Sequence, residues 1–309
     1  MEIKIFDVTH GFCMFIVADN GNTMLVDSGH NGDTGFRPSN YIAQAGYSNI
    51  GRLVVSNYDE DHLSDLPNLC RRLAIRTIHR NDSVGVEQLR KIKTQNNPVL
   101  GAGMSTLLRV LAARQAPTLL ARSRTNLNIN TLPTRGAGIP PMLARPLVTR
   151  RPLLRPRKEF SPIDLPGVKL AFFSNPYPLF QDTNNLSLVT FLHYGDIHLV
   201  FPGDLEKSGW QSLLQLEEFR EQLAQVNVFV ASHHGRLSGY CPEVFNYCQP
   251  EIIIISDKAI QYETQKNMYR KHTRGVYMKD RFRYVLTTRC DGMISIWQRS
   301  GEPAYIATA

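Results

Sequence analysis

Short apolar segments alternate with polar turns along both ends of the chain, at the spacing of β-strands. The pattern predicts strands over residues 3–8, 13–18, 24–26 and 53–55, and again over 168–174, 187–193, 197–201, 226–231, 252–256, 285–287 and 293–297. Apolar spacing indicates helices over 38–46, 63–74, 207–225 and 261–272. Hairpins followed by strands that alternate with helices predict an α/β protein, a mixed αβ/βα sandwich.

Residues 81–160 interrupt this pattern. The segment carries 14 Lys and Arg residues against 3 Asp and Glu, a net charge of +11, with several prolines and glycines and a helical stretch at 103–115. We therefore predict one domain made of residues 1–80 and 161–309, with 81–160 inserted as a basic subdomain, a lid or an arm. The densest positive charge lies near the end of the insertion and includes Arg150, Arg151, Arg155, Arg157 and Lys158.

Composition limits the classes of function. The 309-residue chain has a net charge of +8, which favours a polyanion such as nucleic acid as partner. A protein partner for the insertion, or a role in solubility, is the alternative. No apolar run approaches the ~18 residues of a membrane span, and the N-terminus lacks the pattern of a signal peptide. We therefore expect a cytoplasmic protein without membrane insertion. The 5 cysteines lack CxxC spacing and are expected to be reduced thiols.

Five polar clusters lie at strand ends and offer ligands for a metal ion. The first, residues 56–62, contains Asn57, Asp59, Asp61 and His62. Side chains two residues apart in an extended segment point the same way, so the first three can converge on one spot. The other clusters are Asp27-Ser28-Gly29, Asn184-Asn185-Leu186-Ser187, Gly203-Asp204 and Ser232-His233-His234-Gly235. Each cluster alone is more often a turn or a solvated loop, whereas carboxylates and imidazoles together suit a divalent cation.

The order of these clusters resembles the metallo-β-lactamase superfamily. The resemblance is carried by residues 6–11, 24–29, 59–62, 185–189, 201–206 and 232–235. Within the superfamily, the chain is similar to the soluble C-terminal domain of the DNA-uptake channel protein ComEC/Rec2, of which it would be a free-standing relative. The similarity covers about residues 1–80 and 165–300 and leaves out 81–160.

The resemblance implies the metallo-β-lactamase αβ/βα sandwich and a centre of one or two divalent ions, Zn²⁺, Mn²⁺ or Mg²⁺. The implied ligands are Asn57, Asp59, Asp61, His62, Asp204, His233 and His234. Asp204 would bridge two ions, and either His233 or His234 would be the ligand from the last cluster.

Further roles follow from the same resemblance. Asp59, Asp61 and Asp204 would be the catalytic carboxylates, whereas Asp27 and Asn185 would lie behind the ligands and orient them. Asn57 departs from the family pattern, which has histidine there, and a neutral amide oxygen is a weak metal ligand.

The implied activity is hydrolysis with a metal-bound hydroxide as nucleophile. With the basic insertion, this favours a phosphodiesterase, a nuclease acting on DNA whose phosphates contact the five basic residues at 150–158. Two alternatives stay open. Asn57 favours a catalytically impaired protein that serves as a nucleic-acid-binding or regulatory subunit. The breadth of the superfamily also allows a hydrolase of a small ester, lactone or phosphoester.

Overall fold

The computed structural model describes residues 1–95, 98–124, 165–258 and 264–309, and the side chains of all of these except 115–124. Its strands are β1 (Glu2–Ile5), β2 (Met14–Val17), β3 (Thr23–Val26), β4 (Asn49–Val54), β5 (Ala74–His79), β6 (Lys169–Ser174), β7 (Leu188–Tyr194), β8 (Ile197–Phe201), β9 (Val228–Val230), β10 (Ile252–Ile255), β11 (Val276–Met278), β12 (Arg281–Arg283), β13 (Val285–Thr287), β14 (Ile294–Trp297) and β15 (Tyr305–Thr308).

Helices connect these strands. They are α1 (Pro38–Gln44), α2 (Glu60–Leu63), α3 (Leu66–Arg72), α4 (Val86–Thr94), α5 (Ala102–Arg124), α6 (Lys207–Leu213), α7 (Glu217–Ala224), α8 (Lys266–Arg270) and α9 (Thr288–Asp291). Three short 3₁₀ turns lie at Ser232–Gly235, Leu237–Gly239 and Pro242–Asn246. None of the described helices is both long and apolar enough to cross a membrane.

Two sheets form the centre of the molecule. One has the strand order β15-β14-β1-β2-β3-β4-β5 and the other the order β13-β10-β9-β8-β7-β6. Side chains alternate between the faces of each strand: Ile252 and Ile254 lie in the core between the sheets, whereas Ile253 and Ile255 face the helices outside. Because successive side chains point to opposite faces, a strand of apolar residues only is apolar on both faces. Such strands are expected where a sheet is covered on both sides.

Helices cover the outer face of each sheet. One outer core contains apolar residues of α3, α4 and α5, and the other contains residues of α6 and α7. The result is the four-layered αβ/βα sandwich that the sequence predicts, and the fold class is confirmed.

The predicted helix over 63–74 is wrong in its extent. Helix α2 ends at Leu63, and α3 runs from Leu66 to Arg72. Pro67 favours this new start, because proline has no amide N–H to donate and fits the first turn of a helix. The Asp65 carboxylate secures this break, since it accepts hydrogen bonds from the amide of Ser39 (2.8 Å) and from Arg37 (3.1 Å). The predicted helix over 207–225 is likewise two helices, α6 and α7.

Only the beginning of the predicted basic insertion, 81–160, lies within the described residues. There, Val86 and Leu89 of α4 and Met104, Leu107 and Leu108 of α5 are buried in the outer core against the first sheet. Residues 125–164, with Arg150, Arg151, Arg155, Arg157 and Lys158, lie outside the described part of the chain.

Parallel strands bring the polar loops to one edge. β3, β4 and β5 are parallel in the first sheet, and β8, β9, β10 and β13 in the second. Loops that follow the carboxyl ends of parallel strands meet at the same edge of a sheet. The sandwich therefore places the ends of β3, β4, β8 and β9, where the predicted ligands lie, around one cleft.

Candidate metal centre

Backbone hydrogen bonds tie the strand-end loops together. The amide of Leu188 donates to Ser56 O (2.8 Å) and joins the two sheets, and the amide of His233 donates to Gly203 O (3.1 Å). The amide of Ser28 donates to His62 O (2.8 Å) and holds the loop after β3 against helix α2. The site is thus built on a rigid frame of strands.

Four of the predicted ligands form one cluster. Asp61, His62, Asp204 and His234 each place one ligand atom within 4.8 Å of those of the other three. His62 Nε2 lies 3.1 Å from Asp204 Oδ1, and His234 Nε2 lies 3.3 Å from Asp61 Oδ2 and 3.6 Å from Asp204 Oδ1. His62, Asp204 and His234 are buried, and Asp61 is partly exposed at the mouth of the cleft.

The neighbours of the two histidines leave Nε2 of each ring as the inward atom. His62 Nδ1 lies 2.7 Å from Asp27 Oδ2, and His234 Nδ1 lies 3.1 Å from the carbonyl oxygen of Ser256. A carboxylate and a carbonyl oxygen only accept, so Nδ1 carries the proton and Nε2 of the neutral ring keeps its lone pair. Both Nε2 atoms are buried and face the cluster carboxylates at 3.1–3.6 Å, without the angles of a good hydrogen bond among the described residues.

These donors fit a divalent cation. Two neutral imidazole nitrogens and two carboxylates around one point are the ligand types of zinc and of other first-row metals. A cation would also provide the partner that the two Nε2 atoms need, because a buried polar atom without one is costly.

The four residues also form an electrostatic unit. Burial opposes the ionisation of Asp61 and Asp204, but the imidazoles of His62 and His234 outweigh it; they hold the pKa of Asp61 far below its usual range and lower the pKa of Asp204 to about 2. Burial likewise opposes a charge on His62, whose pKa is nevertheless raised well above its usual range by Asp204, Asp27 and Asp61. The centre therefore attracts positive charge, either a proton on His62 or a metal ion.

Asp27 holds His62 from behind. Its buried carboxylate accepts hydrogen bonds from the amide and the hydroxyl of Ser56 as well as from His62 Nδ1. Burial raises the pKa of Asp27, against the opposing effects of His62 and Ser56. Asp27 thus lies behind the His62 ring and fixes its orientation.

Close backbone contacts hold Asp61. A Cβ atom added to Gly11 or to Gly29 would lie 2.3 or 2.4 Å from the Asp61 carbonyl oxygen, so only glycine fits at either position. His233 and His234 have φ angles of 48° and 55°, in the left-handed region that non-glycine residues rarely adopt. Strain of this kind is typical of functional sites, where the surrounding structure holds it in place.

Asn57 and Asp59 lie outside the cluster. The Asn57 amide nitrogen is directed at Thr183 O (3.3 Å), Asn184 Oδ1 (3.3 Å) and Ser187 Oγ (3.2 Å), and its oxygen accepts from the amide of Asp59 (2.7 Å). Asp59 Oδ1 accepts from Lys93 Nζ (2.6 Å) and from the Thr183 hydroxyl (2.9 Å). The predicted ligands Asn57 and Asp59 therefore do not join the cluster in this arrangement.

His233 and Asn185 also have other partners. His233 Nε2 lies 2.9 Å from an Arg236 nitrogen, and its Nδ1 lies 3.0 Å from Ser238 Oγ. Of the histidine pair, His234 is therefore the member in the cluster. The Asn185 side chain donates to Asp182 Oδ1 (3.0 Å) and accepts from the amide of Gly209 (2.9 Å), so it braces a loop.

His10 and Arg236 are neighbours of the centre, although neither is predicted as a site residue from the sequence. His10 Nε2 lies 3.4 Å from Asp61 Oδ2, and its ring centroid lies 4.5 Å from that of His234. His10 follows β1 in a loop with positive φ at Thr9 (59°) and Gly11 (133°), so it too is a polar residue at a strand end. Its position after a strand is the feature of the sequence that could have identified His10 as a candidate site residue.

Comparison with known proteins agrees with this geometry. Residues 6–87 match the family model of the metallo-beta-lactamase superfamily, and no curated protein matches the chain. Among solved structures, Igni18, a metallo hydrolase from Ignicoccus hospitalis, is similar at 12% identity, with 97% of this chain and 100% of that chain covered and a TM-score of 0.44. A long form RNase Z from yeast is similar at 9% identity, with 94% of this chain and 41% of that chain covered and a TM-score of 0.40.

The family model matches strands and helices of the first sheet and does not extend to the second sheet. The matched stretch includes β2 to β5 and two of the four cluster residues, Asp61 and His62. Asp204 and His234 come from the second sheet and complete the cluster. Residues 6–87 are therefore similar to the metallo-β-lactamase superfamily, and the described residues have a mixed α/β fold consistent with it.

Proposed function

We propose that the protein is a metal-dependent hydrolase that binds one divalent cation through Asp61, His62, Asp204 and His234. The proposed substrate is a phosphodiester, most specifically the backbone of DNA, as in the ComEC-like relatives that the sequence resembles. The resident ion is Zn²⁺ or Mn²⁺, since two imidazoles with two carboxylates are a mixed nitrogen and oxygen set.

One observation supports the proposal above all others. Two buried Nε2 atoms face two carboxylates, and each histidine is fixed through Nδ1 by an oxygen that can only accept. Ligand histidines in metalloproteins are held from behind in the same way.

The residues of the chain have distinct tasks in this proposal. When bound, a divalent cation acts as a Lewis acid and lowers the pKa of water enough to supply a nucleophile at neutral pH. Asp61 and Asp204 stay ionised and balance its charge, while Asp27 keeps the His62 ring in one tautomer. Asp61 is at the exposed side of the cluster and lies nearest to an incoming substrate.

The preference for an anionic substrate rests on charge. The segment 81–160 carries a net charge of +11, and contacts between Lys or Arg and phosphate supply most of the affinity of proteins for nucleic acid. We propose that Arg150, Arg151, Arg155, Arg157 and Lys158 contact the DNA backbone. Their neutralisation should weaken binding and flatten its salt dependence.

A second candidate has specific support. Asn57 and Asp59 are held by Thr183, Ser187 and Lys93, so a two-ion mechanism lacks two of its predicted ligands. A protein with this arrangement could bind nucleic acid as a catalytically impaired subunit with one structural ion. A hydrolase of a small ester shares the same ion site and is distinguished by its substrate.

The test loads the purified protein with Zn²⁺, Mn²⁺ or Mg²⁺ and assays single-stranded DNA, double-stranded DNA and bis(p-nitrophenyl) phosphate. Asp204→Asn and His234→Ala should abolish cleavage, and Asp82→Asn, which changes an exposed aspartate elsewhere, should not. Cleavage that survives both changes in the cluster would contradict the assignment. DNA binding without cleavage in every metal would favour the impaired subunit.

A further inference from the structure

The guanidinium of Arg236 is held between two histidines at the rim of the metal centre. One terminal nitrogen lies 2.9 Å from His233 Nε2 and the other 2.6 Å from His10 Nε2. Arg236 is half-buried and lies two residues after His234 in the chain. The two contacts fix the plane of the guanidinium, which otherwise ends a flexible side chain.

The contacts also define the protonation of both histidines. A guanidinium only donates hydrogen bonds, so the ring nitrogens facing it must accept, and both rings are neutral. The charge in this group of three side chains is therefore carried by Arg236. Glu206 lies on the opposite side of His233, 3.3 Å from its Nδ1.

This positive charge lies next to the proposed cation. His10 Nε2, which contacts Arg236, is also 3.4 Å from Asp61 Oδ2, so a single imidazole separates the guanidinium from a cluster carboxylate. Asp61 and Asp204 together balance a divalent ion. The guanidinium therefore places a positive charge beside Asp61, the partly exposed member of the cluster.

We propose that Arg236 forms a subsite for the phosphoryl oxygens of a substrate bound at the metal centre. This inference rests on the proposed hydrolase function and names the substrate class as phosphate esters. An oriented guanidinium matches two phosphate oxygens with parallel N–H donors, and the neutral histidines fix its plane without adding a competing charge. Arg236 is thus a substrate-binding residue, beyond its contacts to the two rings.

The experiment measures the binding of inorganic phosphate to the zinc-loaded protein by titration calorimetry. Arg236→Gln should raise the Kd for phosphate at least about tenfold, since hydrogen bonds to charged groups contribute about 1.5–3 kcal/mol. Arg236→Lys should have a smaller effect, because it keeps the charge and loses the planar donors. Arg299→Gln, which changes an exposed arginine elsewhere, should match wild type. Bound zinc is measured in every variant.

An unchanged Kd in Arg236→Gln would overturn the proposal, because a residue that only orients His10 and His233 does not bind phosphate. If Arg236→Gln loses zinc or fails to fold, Arg236→Lys must weaken phosphate binding with zinc retained, and an unchanged Kd there would overturn it equally.

Kinetics separate this inference from the proposed function. In Arg236→Gln, KM for bis(p-nitrophenyl) phosphate should rise by a larger factor than KM for the uncharged ester p-nitrophenyl acetate. If wild type binds phosphate through Arg236 but cleaves neither compound, the hydrolase proposal fails and the subsite stands. If wild type cleaves both and Arg236→Gln has unchanged kinetics, the subsite fails alone.

Discussion

The two halves of the loop at residues 56–62 have side chains with different partners. Asp61 and His62, in its second half, join Asp204 and His234 in the cluster. Asn57 and Asp59, in its first half, are bound by Ser187, Thr183 and Lys93. Residues of similar chemistry, a few positions apart, thus form a candidate metal site on one side and a structural network on the other.

Backbone conformation explains part of this difference. The two-residue alternation that predicts convergence of Asn57, Asp59 and Asp61 holds only while the chain is extended. Asp59 is still extended, with φ −82° and ψ 154°, but helix α2 begins at Glu60. Asp61 and His62 therefore follow helical geometry, which turns them to a different side from Asn57 and Asp59.

Long-range partners explain the rest. Asp61 is enclosed by Gly11 and Gly29, and His62 is held by Asp27, all from loops at the cleft. Asp59 instead meets Lys93 of α4, a helix within the segment predicted as an insertion. An ammonium group at a carboxylate supplies locally the positive charge that a metal ion would otherwise supply.

Removal of a cluster residue should have the largest effect. His234→Ala and Asp204→Asn each delete a ligand, so zinc affinity should fall by more than the roughly 10–100-fold that loss of an outer partner costs. Competition with a chelating dye measures the affinity. Asp59→Asn is the matched control and should bind zinc as wild type does. Equal losses of zinc affinity in all three variants would show that Asp59 belongs to the metal site as much as His234 and Asp204 do.

Replacement of the residue behind His62 should have the next largest effect. Asp27→Asn keeps the shape of the side chain but removes the charge that fixes the proton on His62 Nδ1. Zinc affinity should fall by roughly 10–100-fold. Circular dichroism tests whether the fold is retained. A variant that is folded and has wild-type affinity would show that Asp27 does not orient a ligand.

Metal affinity should depend on pH in a defined direction. In the metal-free protein the pKa of His62 is raised, chiefly by Asp204 and Asp27 against the effect of burial, so a metal ion must displace a proton from it. Zinc affinity should therefore rise by about tenfold per pH unit until the pH reaches that pKa, and then level off. Calorimetry in buffers of different ionisation enthalpy counts the released proton. No proton release at pH 6 would contradict the electrostatic account of the cluster.

Removal of the lysine at Asp59 should have the smallest effect on stability. Lys93→Met breaks a partly exposed ion pair, which typically contributes about 0–1 kcal/mol. Thermal unfolding should shift only slightly, and the number of bound zinc ions should stay at the wild-type value. A second bound ion in this variant would show that Lys93 alone keeps a metal from Asp59.

The sequence predicts the fold class and the identity of the cluster well, because both follow from local patterns. Strand alternation reports the two sheets, and Asp61, His62, Asp204 and His234 each lie at a strand end. The sequence could not select His234 over His233, since that choice depends on left-handed backbone angles at both residues. The edge strand β5 was also not predicted, because most of its side chains are partly or fully exposed and it lacks the apolar alternation of a buried strand.

The parts of the site that depend on distant segments were not predictable. Lys93 and Thr183 are 34 and 124 residues from Asp59, and Arg236 is 226 residues from His10. No local pattern reports such pairs. They decide which half of the loop is available to a metal ion and where positive charge lies at the rim.

The most direct test of the account is the anomalous scattering of a crystal of the zinc-loaded protein. The account predicts one strong peak within about 2.0–2.2 Å of ligand atoms from Asp61, His62, Asp204 and His234. A second peak of similar height at Asn57 and Asp59, or a single peak bound by those two residues, would contradict it.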